Sequence, residues 1–103
     1  MKVDKTHGER VAHPYEPGQW MEFRLLTVAE VREVAKIEDP AESTDRQLEF
    51  AITAWSYPEP VSRAAIAEQD SGTVLWAVRE VTRRLTRGSD EGEVSAPASL
   101  TIT

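Results

Sequence analysis

Histidines, carboxylates and serines are the residues in this chain whose chemistry could bind a metal or drive a reaction. The two histidines, His7 and His13, lie near the N-terminus in the segment HGERVAH. They lack the i, i+4 spacing that puts two metal ligands on one helix face, and no third ligand stands beside them. A serine nucleophile needs a histidine on a rigid element, and the chain has no cysteine. The sequence therefore indicates no catalytic, cofactor or metal site, and we expect a protein that is not an enzyme.

Carboxylates are concentrated in residues 30–49, which contain seven acidic residues. A catalytic pair of carboxylates requires one acid that is buried enough for its pKa to rise. These acids instead stand beside predicted helix starts or on polar faces, where a carboxylate is solvated and stabilises the helix N-terminus. We interpret them as an acidic surface.

The composition favours a small soluble protein. The chain has 103 residues and a formal net charge of -6, which disfavours binding to nucleic acid unless a basic face is segregated. It contains no apolar run near the ~20 residues of a membrane span, and its polar start has no signal-peptide core. We therefore expect a cytosolic protein with neither a nucleic acid nor a membrane as partner.

A turn followed by a short strand is predicted near the N-terminus. Pro17 and Gly18 suit the second and third positions of a type II turn. In the segment WMEFRLL that follows, Met21, Phe23 and Leu25 alternate with polar residues, which is typical of a half-buried strand. A lone strand leaves its backbone groups unpaired, so either RVAHPY folds back across the turn or the strand pairs with another chain.

Two helices are predicted after this strand. The first begins with a capping box at Thr27 and ends before Pro40. Its apolar residues, which fall within one arc of the helix, are Val28, Val31, Val34 and Ala35. The second begins at Ser43 or Thr44 and is predicted to continue through Trp55. Its stripe, with the i, i+3, i+4, i+7 spacing of one helix face, is Leu48, Ala51, Ile52 and Trp55.

Two more helices are predicted beyond the segment YPEP. Its prolines lack amide hydrogens, so this segment ends the second helix and forms a stiff, extended link. Ser62 caps a short third helix that runs to about Gln69. The fourth helix starts at Asp70 or Ser71 and ends at Gly88. Its apolar face consists of Val74, Ala77, Val78, Val81 and Leu85.

The predicted fold is mainly α: a small four-helix domain preceded by a short β-strand or hairpin, with flexible N- and C-terminal tails. The single domain covers residues 13–87. Residues 1–12 and 88–103 show no hydrophobic period and are rich in glycine, serine, proline and charge, which predicts two tails. Within the domain, Trp55 and Tyr57 are expected in the core.

The last helix carries one candidate surface for binding a partner. Arg79, Arg83 and Arg87 recur every four residues opposite the apolar face, and Trp76 lies on the same side. Tryptophan and arginine are favoured anchors of protein interfaces. Arginines near a helix C-terminus also stabilise the helix itself, and Trp76 could equally pack inside the domain.

Two further features indicate contacts beyond the chain. Phe50 lies away from the apolar stripe of its own helix, which suggests contact with a partner. The predicted strand adds Trp20, Met21 and Phe23, through which the chain could form a homo-oligomer or pair with a partner strand.

Two long segments, HPYEPGQWMEFRLLTVAEV and AITAWSYPEPVSRAAIAEQDSGTVLWAVREV, carry a family resemblance. They are similar to small proteins encoded among the tail genes of long-tailed actinobacterial phages and prophages, which resemble tail assembly chaperones. The likeness covers about residues 13–85. The chain departs from the pattern at Gln69, where an aliphatic residue is usual, and in the short segment between its first two helices. The shared positions after the Pro-Gly turn are Trp20, Trp55, Tyr57, Pro60, Val61, Ile66, Asp70, Thr73, Trp76, Glu80 and Val81.

The resemblance implies a non-catalytic phage tail assembly chaperone in the host cytoplasm. Such a protein binds tape-measure and tail-tube proteins during tail assembly and is absent from the finished particle. The alternative is a structural virion protein, such as a head-tail connector or a minor tail subunit. A DNA-binding regulator is disfavoured, because the chain is acidic and lacks a recognisable helix-turn-helix glycine turn.

Overall fold

Four helices and a three-stranded antiparallel sheet make up the described part of the chain. The structure is a computed structural model that describes residues 2–92, with side chains described through residue 85. The elements are β1 (Glu9–Ala12), β2 (Trp20–Phe23), α1 (Val28–Ala35), α2 (Pro40–Ala51), β3 (Ile52–Trp55), α3 (Arg63–Ala67) and α4 (Ser71–Gly92). The predicted helices are present, but the sheet makes the fold less purely helical than expected.

A β-hairpin forms the start of the fold. Gly18 has a φ of 82°, and the Gln19 amide donates to the Glu16 carbonyl at 3.2 Å, as the predicted Pro-Gly turn requires. β1 pairs antiparallel with β2, with Val11 opposite Met21. The alternative in which the N-terminal segment folds back is therefore confirmed. Residues 9–12 were assigned to a tail, and that boundary is wrong because these residues pair with β2.

The predicted second helix ends early and continues as a strand. α2 stops at Ala51, and Ile52 has the extended backbone angles φ -88° and ψ 110°. β3 then pairs antiparallel with β2, placing Trp55 opposite Met21 and Ile52 opposite Phe23. The prediction of helix through Trp55 is wrong, because β-branched and aromatic residues suit a strand and pairing satisfies the second edge of β2.

The position of β2 bears on the predicted self-association. This strand is central, with β1 on one edge and β3 on the other. The backbone groups of β2 therefore form hydrogen bonds with β1 and β3 of the same chain. The expectation that another chain pairs with the edge of this strand is wrong.

The starts of α1 and α2 follow local capping rules. The Thr27 hydroxyl accepts from the Glu30 amide at 3.1 Å, and the Glu30 carboxylate accepts from the Thr27 amide at 2.9 Å, which confirms the capping box. α2 begins at Pro40, earlier than predicted, with Asp39 as its N-cap. Proline is favoured at the first helical position because no amide hydrogen is needed there.

The last two helices also begin at predicted caps. Ser62 accepts from the Ala65 amide at 3.1 Å at the start of α3. Asp70 accepts from the Thr73 amide at 3.0 Å at the start of α4. α4 continues to Gly92, so the predicted end at Gly88 is wrong. The rest of the predicted C-terminal tail, residues 93–103, lies outside the described residues.

The hydrophobic core lies between the sheet and helices α2, α3 and α4. Trp55 is 8% exposed, and its indole nitrogen donates to the Glu59 carbonyl at 2.7 Å, which confirms it as a core residue. Tyr57 is half-buried against the core, edge-on to Trp55. The buried hydrophobic residues are Met21, Phe23, Leu26, Leu48, Ala51, Ile52, Trp55, Ala65, Ile66, Trp76, Ala77 and Val81.

Candidate interaction surface

Three of the predicted partner-binding residues belong to the core instead. Met21, Phe23 and Trp76 are 2%, 1% and 7% exposed. The rings of Phe23 and Trp76 meet edge to face, with centroids 5.7 Å apart. The assignment of these three residues to a partner surface is wrong, because β2 turns its apolar side toward α4 and each face covers the other.

Trp20 and Phe50 are half-buried, and each ring is partly covered by a cation of its own chain. The Arg10 guanidinium lies 3.7 Å from the centroid of the Trp20 ring. The Arg46 guanidinium lies 4.2 Å from that of Phe50, which also packs against the core. Such cation–π contacts use the exposed ring faces. The prediction that Trp20 and Phe50 bind a partner remains a prediction.

The arginine row on α4 is exposed in its described part. Arg79 is exposed, and Arg83 donates to the Glu80 carboxylate at 2.9 Å while its side chain stays 49% exposed. Leu75, one turn before Arg79, is 55% exposed. The side chain of Arg87 lies outside the described residues. This face therefore offers cations beside one exposed leucine, without the predicted tryptophan.

Helix α1 presents most of its apolar arc to the exterior, because Val28, Val31 and Ala35 are exposed and only Val34 is half-buried. Val28 is 66% exposed and Val31 is 41% exposed, whereas Glu30 is the buried residue of the helix. Val28 and Glu30 point about 160° apart on a helix with 3.6 residues per turn. An amphipathic helix in a globular protein ordinarily turns its apolar stripe inward, so α1 is inverted relative to the rest of the molecule.

A buried ion pair accounts for this inversion. Arg24, itself 8% exposed, donates through both terminal nitrogens to the two carboxylate oxygens of Glu30, at 2.9 Å each. The Arg24 hydrogen bonds, helped by the Thr27 amide, lower the pKa of Glu30 to about 2 against the opposing effect of burial. Bidentate pairing of this kind fixes orientation as well as charge. The pair thus holds the Glu30 side of α1 against the domain and leaves the valines outside.

A groove continues from the exposed side of α1 toward the N-terminal segment. It is open and has a volume of about 550 Å³. Its lining residues are Lys2, Val3, Lys5, Leu26, Thr27 and Val28. The groove therefore has an aliphatic floor and a basic rim.

This surface, which we call the α1 face, consists of Val28 and Val31 with the adjoining groove. Sequence reasoning found its apolar arc but not its exposure. The sequence contained one hint of this orientation, because Glu30 takes part in the capping box at the start of α1 and also lies at the edge of the apolar arc. The distant partner Arg24, which decides the orientation, cannot be recognised from helical spacing.

His13, Thr73 and Asp70 form a hydrogen-bonded cluster at the start of α4. The residue types are those of a catalytic relay, but the directions of the hydrogen bonds are not. His13 Nδ1 accepts from the amides of Tyr15 and Glu16, at 3.2 and 3.1 Å, so its Nε2 carries the hydrogen and donates to the Thr73 hydroxyl at 2.8 Å. The Thr73 hydroxyl donates in turn to Asp70 at 2.6 Å. The histidine does not act as a base toward this buried hydroxyl. The cluster ties the β1–β2 turn to α4.

The interior cavity described among residues 2–85 is too small to compete with the α1 face. The gap among the core residues between β2, α2 and α4 measures only about 10 Å³. In the part of the chain that the structure describes, no group of three or more histidines and acids could hold a metal ion. Within that same part, no helix has the length and apolarity needed to cross a membrane.

Comparison with known proteins yields no relative. No family model, curated protein or solved structure matches the chain.

Proposed function

We propose that the protein is a non-catalytic phage tail assembly chaperone that binds tape-measure and/or tail-tube proteins in the host cytoplasm. The observation that carries the binding part of this proposal is the inverted helix α1, which buries Glu30 and exposes Val28 and Val31. The family resemblance supplies the client and the process.

Exposed valines alone would not support this proposal, because single apolar residues are common on protein surfaces. The α1 face differs in that a buried, fully paired Arg24–Glu30 contact directs the apolar side outward. Burying an ion pair is costly relative to packing apolar side chains of similar volume. A buried ion pair that directs valines outward is expected where those valines contact a partner protein.

A chaperone for a long helical client needs an apolar surface and no reactive group. A helix with exposed aliphatic residues can pack against the apolar stripe of a client helix. The competing candidate surface is on α4, where the exposed Arg79 and Arg83 could pair with client carboxylates beside Leu75. The α1 face is the primary candidate, because it combines two exposed valines with a groove.

Co-expression with a tape-measure protein of a long-tailed actinobacterial phage, as the client, tests the proposal. The double variant Val28→Asp, Val31→Asp should leave the client insoluble, because it places two charges on the apolar contact. The comparison variant is Leu75→Asp, which changes an aliphatic residue on the competing α4 surface whose exposure lies between those of the two valines, and it should keep the client soluble. If the α1 variant retains the client and Leu75→Asp loses it, the binding surface is on α4.

A structural virion protein is the alternative that must be separated from a chaperone. Mass spectrometry of purified particles distinguishes the two. A chaperone should be absent from the particles, whereas a connector or minor tail subunit should be present in a fixed copy number. Detection at a fixed copy number would contradict the proposed function.

A further inference from the structure

We propose that the α1 face binds an acidic amphipathic helix, whose apolar stripe packs on the valines and whose flanking carboxylates meet a basic rim. The inference rests on the proposed function in taking the α1 face as the binding surface. It adds the chemistry of the partner.

The apolar part of the site is made of small aliphatic side chains. Val28 and Val31 are exposed on the helix, and Leu26 and Val3 lie beside them in the groove, buried and half-buried respectively. Short branched side chains allow a second helix to approach closely. The floor therefore fits the aliphatic stripe of a helix better than a flat aromatic ligand.

Two lysines line the groove, and two further cations lie along α1. Lys2 and Lys5 line the groove, and both are exposed. Arg32 and Lys36, which are also exposed, follow one another at i, i+4 on the side of α1 next to Val28. These four cations stand out in a chain whose formal net charge is -6.

The nearest acids of α1 are already paired within the chain. Glu30 is buried against Arg24 and lies 4.0 Å from Lys5, so its one negative charge is shared by two cations. Glu33 accepts from Arg46 of α2 at 2.8 Å and so is drawn toward α2. The charge left around Val28 is therefore positive, which complements a helix that carries glutamates or aspartates beside its apolar stripe.

A second copy of this chain fits the α1 face poorly. Two α1 faces packed together would bring Lys2, Lys5 and Arg32 of one copy near the same cations of the other. Like charges placed together across an interface oppose association. The charge pattern thus favours a different, acidic partner.

Synthetic peptides test this inference without the client. The probe is a helical peptide of about 20 residues, because shorter isolated helices are marginal in water, with leucines on one face flanked by glutamates. One control has lysines in place of the glutamates, and another has the acidic sequence scrambled. Fluorescence anisotropy should show the acidic amphipathic peptide binding at least about tenfold more tightly than either control, with an affinity that falls as salt rises.

Variants of the protein locate the binding. Lys2→Glu with Arg32→Glu should weaken binding of the acidic peptide by about tenfold and strengthen binding of the lysine peptide. Val28→Ser with Val31→Ser should weaken both. Arg63→Glu, a charge reversal at an exposed arginine on α3, is the matched control for Arg32→Glu and should leave the affinity unchanged. Thermal melts should show that all these variants remain folded, since every altered side chain is largely exposed.

Several results would overturn the inference. Equal affinity for the acidic and the lysine peptides would show that the basic rim does not contribute to binding. An unchanged affinity of the serine variant would show that the peptide does not bind to the α1 face. A dimer in sedimentation that the serine variant dissociates would assign the face to a second copy. If the protein binds the acidic peptide but not the client, the proposed function is wrong and this inference stands. If client solubility depends on Val28 and Val31 but no peptide binds, the proposed function stands and this inference is wrong.

Discussion

Helices α1 and α4 both carry apolar stripes, yet the two helices use them in opposite ways. In α4 the stripe residues Ala77 and Val81 are 1% exposed, and the helix covers β2. In α1 the stripe residues Val28 and Val31 are exposed, and a glutamate is buried instead. An apolar stripe shows which side of a helix avoids water, but it does not identify what covers that side.

The contacts that hold the two helices differ in chemistry. α4 is held mainly by aromatic and aliphatic packing, with Trp76 against Phe23 and His13. This packing is supplemented by the buried Arg84, which pairs with Glu9 of β1. α1 is held by the Arg24–Glu30 pair and by its contacts with α2. Hydrophobic packing is nondirectional, whereas a bidentate ion pair requires one orientation. Mutation of each helix and a change of pH should therefore have different effects on the two.

Replacing Trp76 with alanine should reduce the free energy of unfolding by about 3–5 kcal/mol, because it removes a buried aromatic side chain and leaves a cavity. Chemical denaturation measures this loss. Leu75→Ala, at the neighbouring and exposed position of α4, should change the free energy of unfolding by less than about 0.5 kcal/mol. Similar effects at the two positions would contradict the described orientation of α4.

Replacing Arg24 with alanine should cost about 3 kcal/mol, because Glu30 is then buried without its partner. The double variant Arg24→Met, Glu30→Leu removes both charges and should recover most of this stability, measured by the same denaturation experiment. A single variant with wild-type stability would show that the ion pair does not hold α1 in place.

The Arg24–Glu30 pair should also make stability depend on pH. The pKa of Glu30 is lowered from 4.5 to about 2, chiefly by the Arg24 hydrogen bonds. Its contribution is therefore fully present above pH 4.5 and is lost as the pH falls toward 2, by up to about 3 kcal/mol. Unfolding curves of wild type and Glu30→Gln across this range should converge at low pH. A constant difference would show that Glu30 is not the titrating group.

Serine at both Val28 and Val31 should change the free energy of unfolding by less than about 0.5 kcal/mol per site, because valine and serine have similar helix propensities and both sites are exposed. Thermal unfolding with circular dichroism provides the check. A loss of several kcal/mol would mean that these valines stabilise the fold itself, and the contrast between α1 and α4 would disappear.

Signals that act over a few residues were readable from the sequence. The Pro17-Gly18 turn, the Thr27 capping box and the Ser62 cap were all predicted and are present. Each depends on backbone geometry or on a hydrogen bond between residues close in the chain, so the necessary groups are visible together. The same applies to the apolar face of α4, whose period extends over several turns.

The candidate site was predicted less well, because its exposure depends on distant contacts. Phe23 and Trp76 were expected to contact a partner, but their rings contact each other, although the two residues lie far apart in the sequence. Val28 and Val31 were recognised as an apolar arc without any indication that they remain exposed. Arg79 and Arg83 were expected on the outside, and they are exposed.

Neighbouring residues alone set the Pro17-Gly18 turn, the N-caps of α1, α3 and α4, and the apolar side of each helix, so these features can be read from the amino-acid sequence. The strand at Ile52–Trp55 depends instead on a tertiary contact, since it forms by pairing with the distant strand β2, where Ile52 lies opposite Phe23. The tertiary structure also decided that α1 faces outward, because the orientation follows from the pairing of Glu30 with Arg24 on a different element. Helical periodicity is a local property, whereas burial depends on which distant surface comes to cover each face.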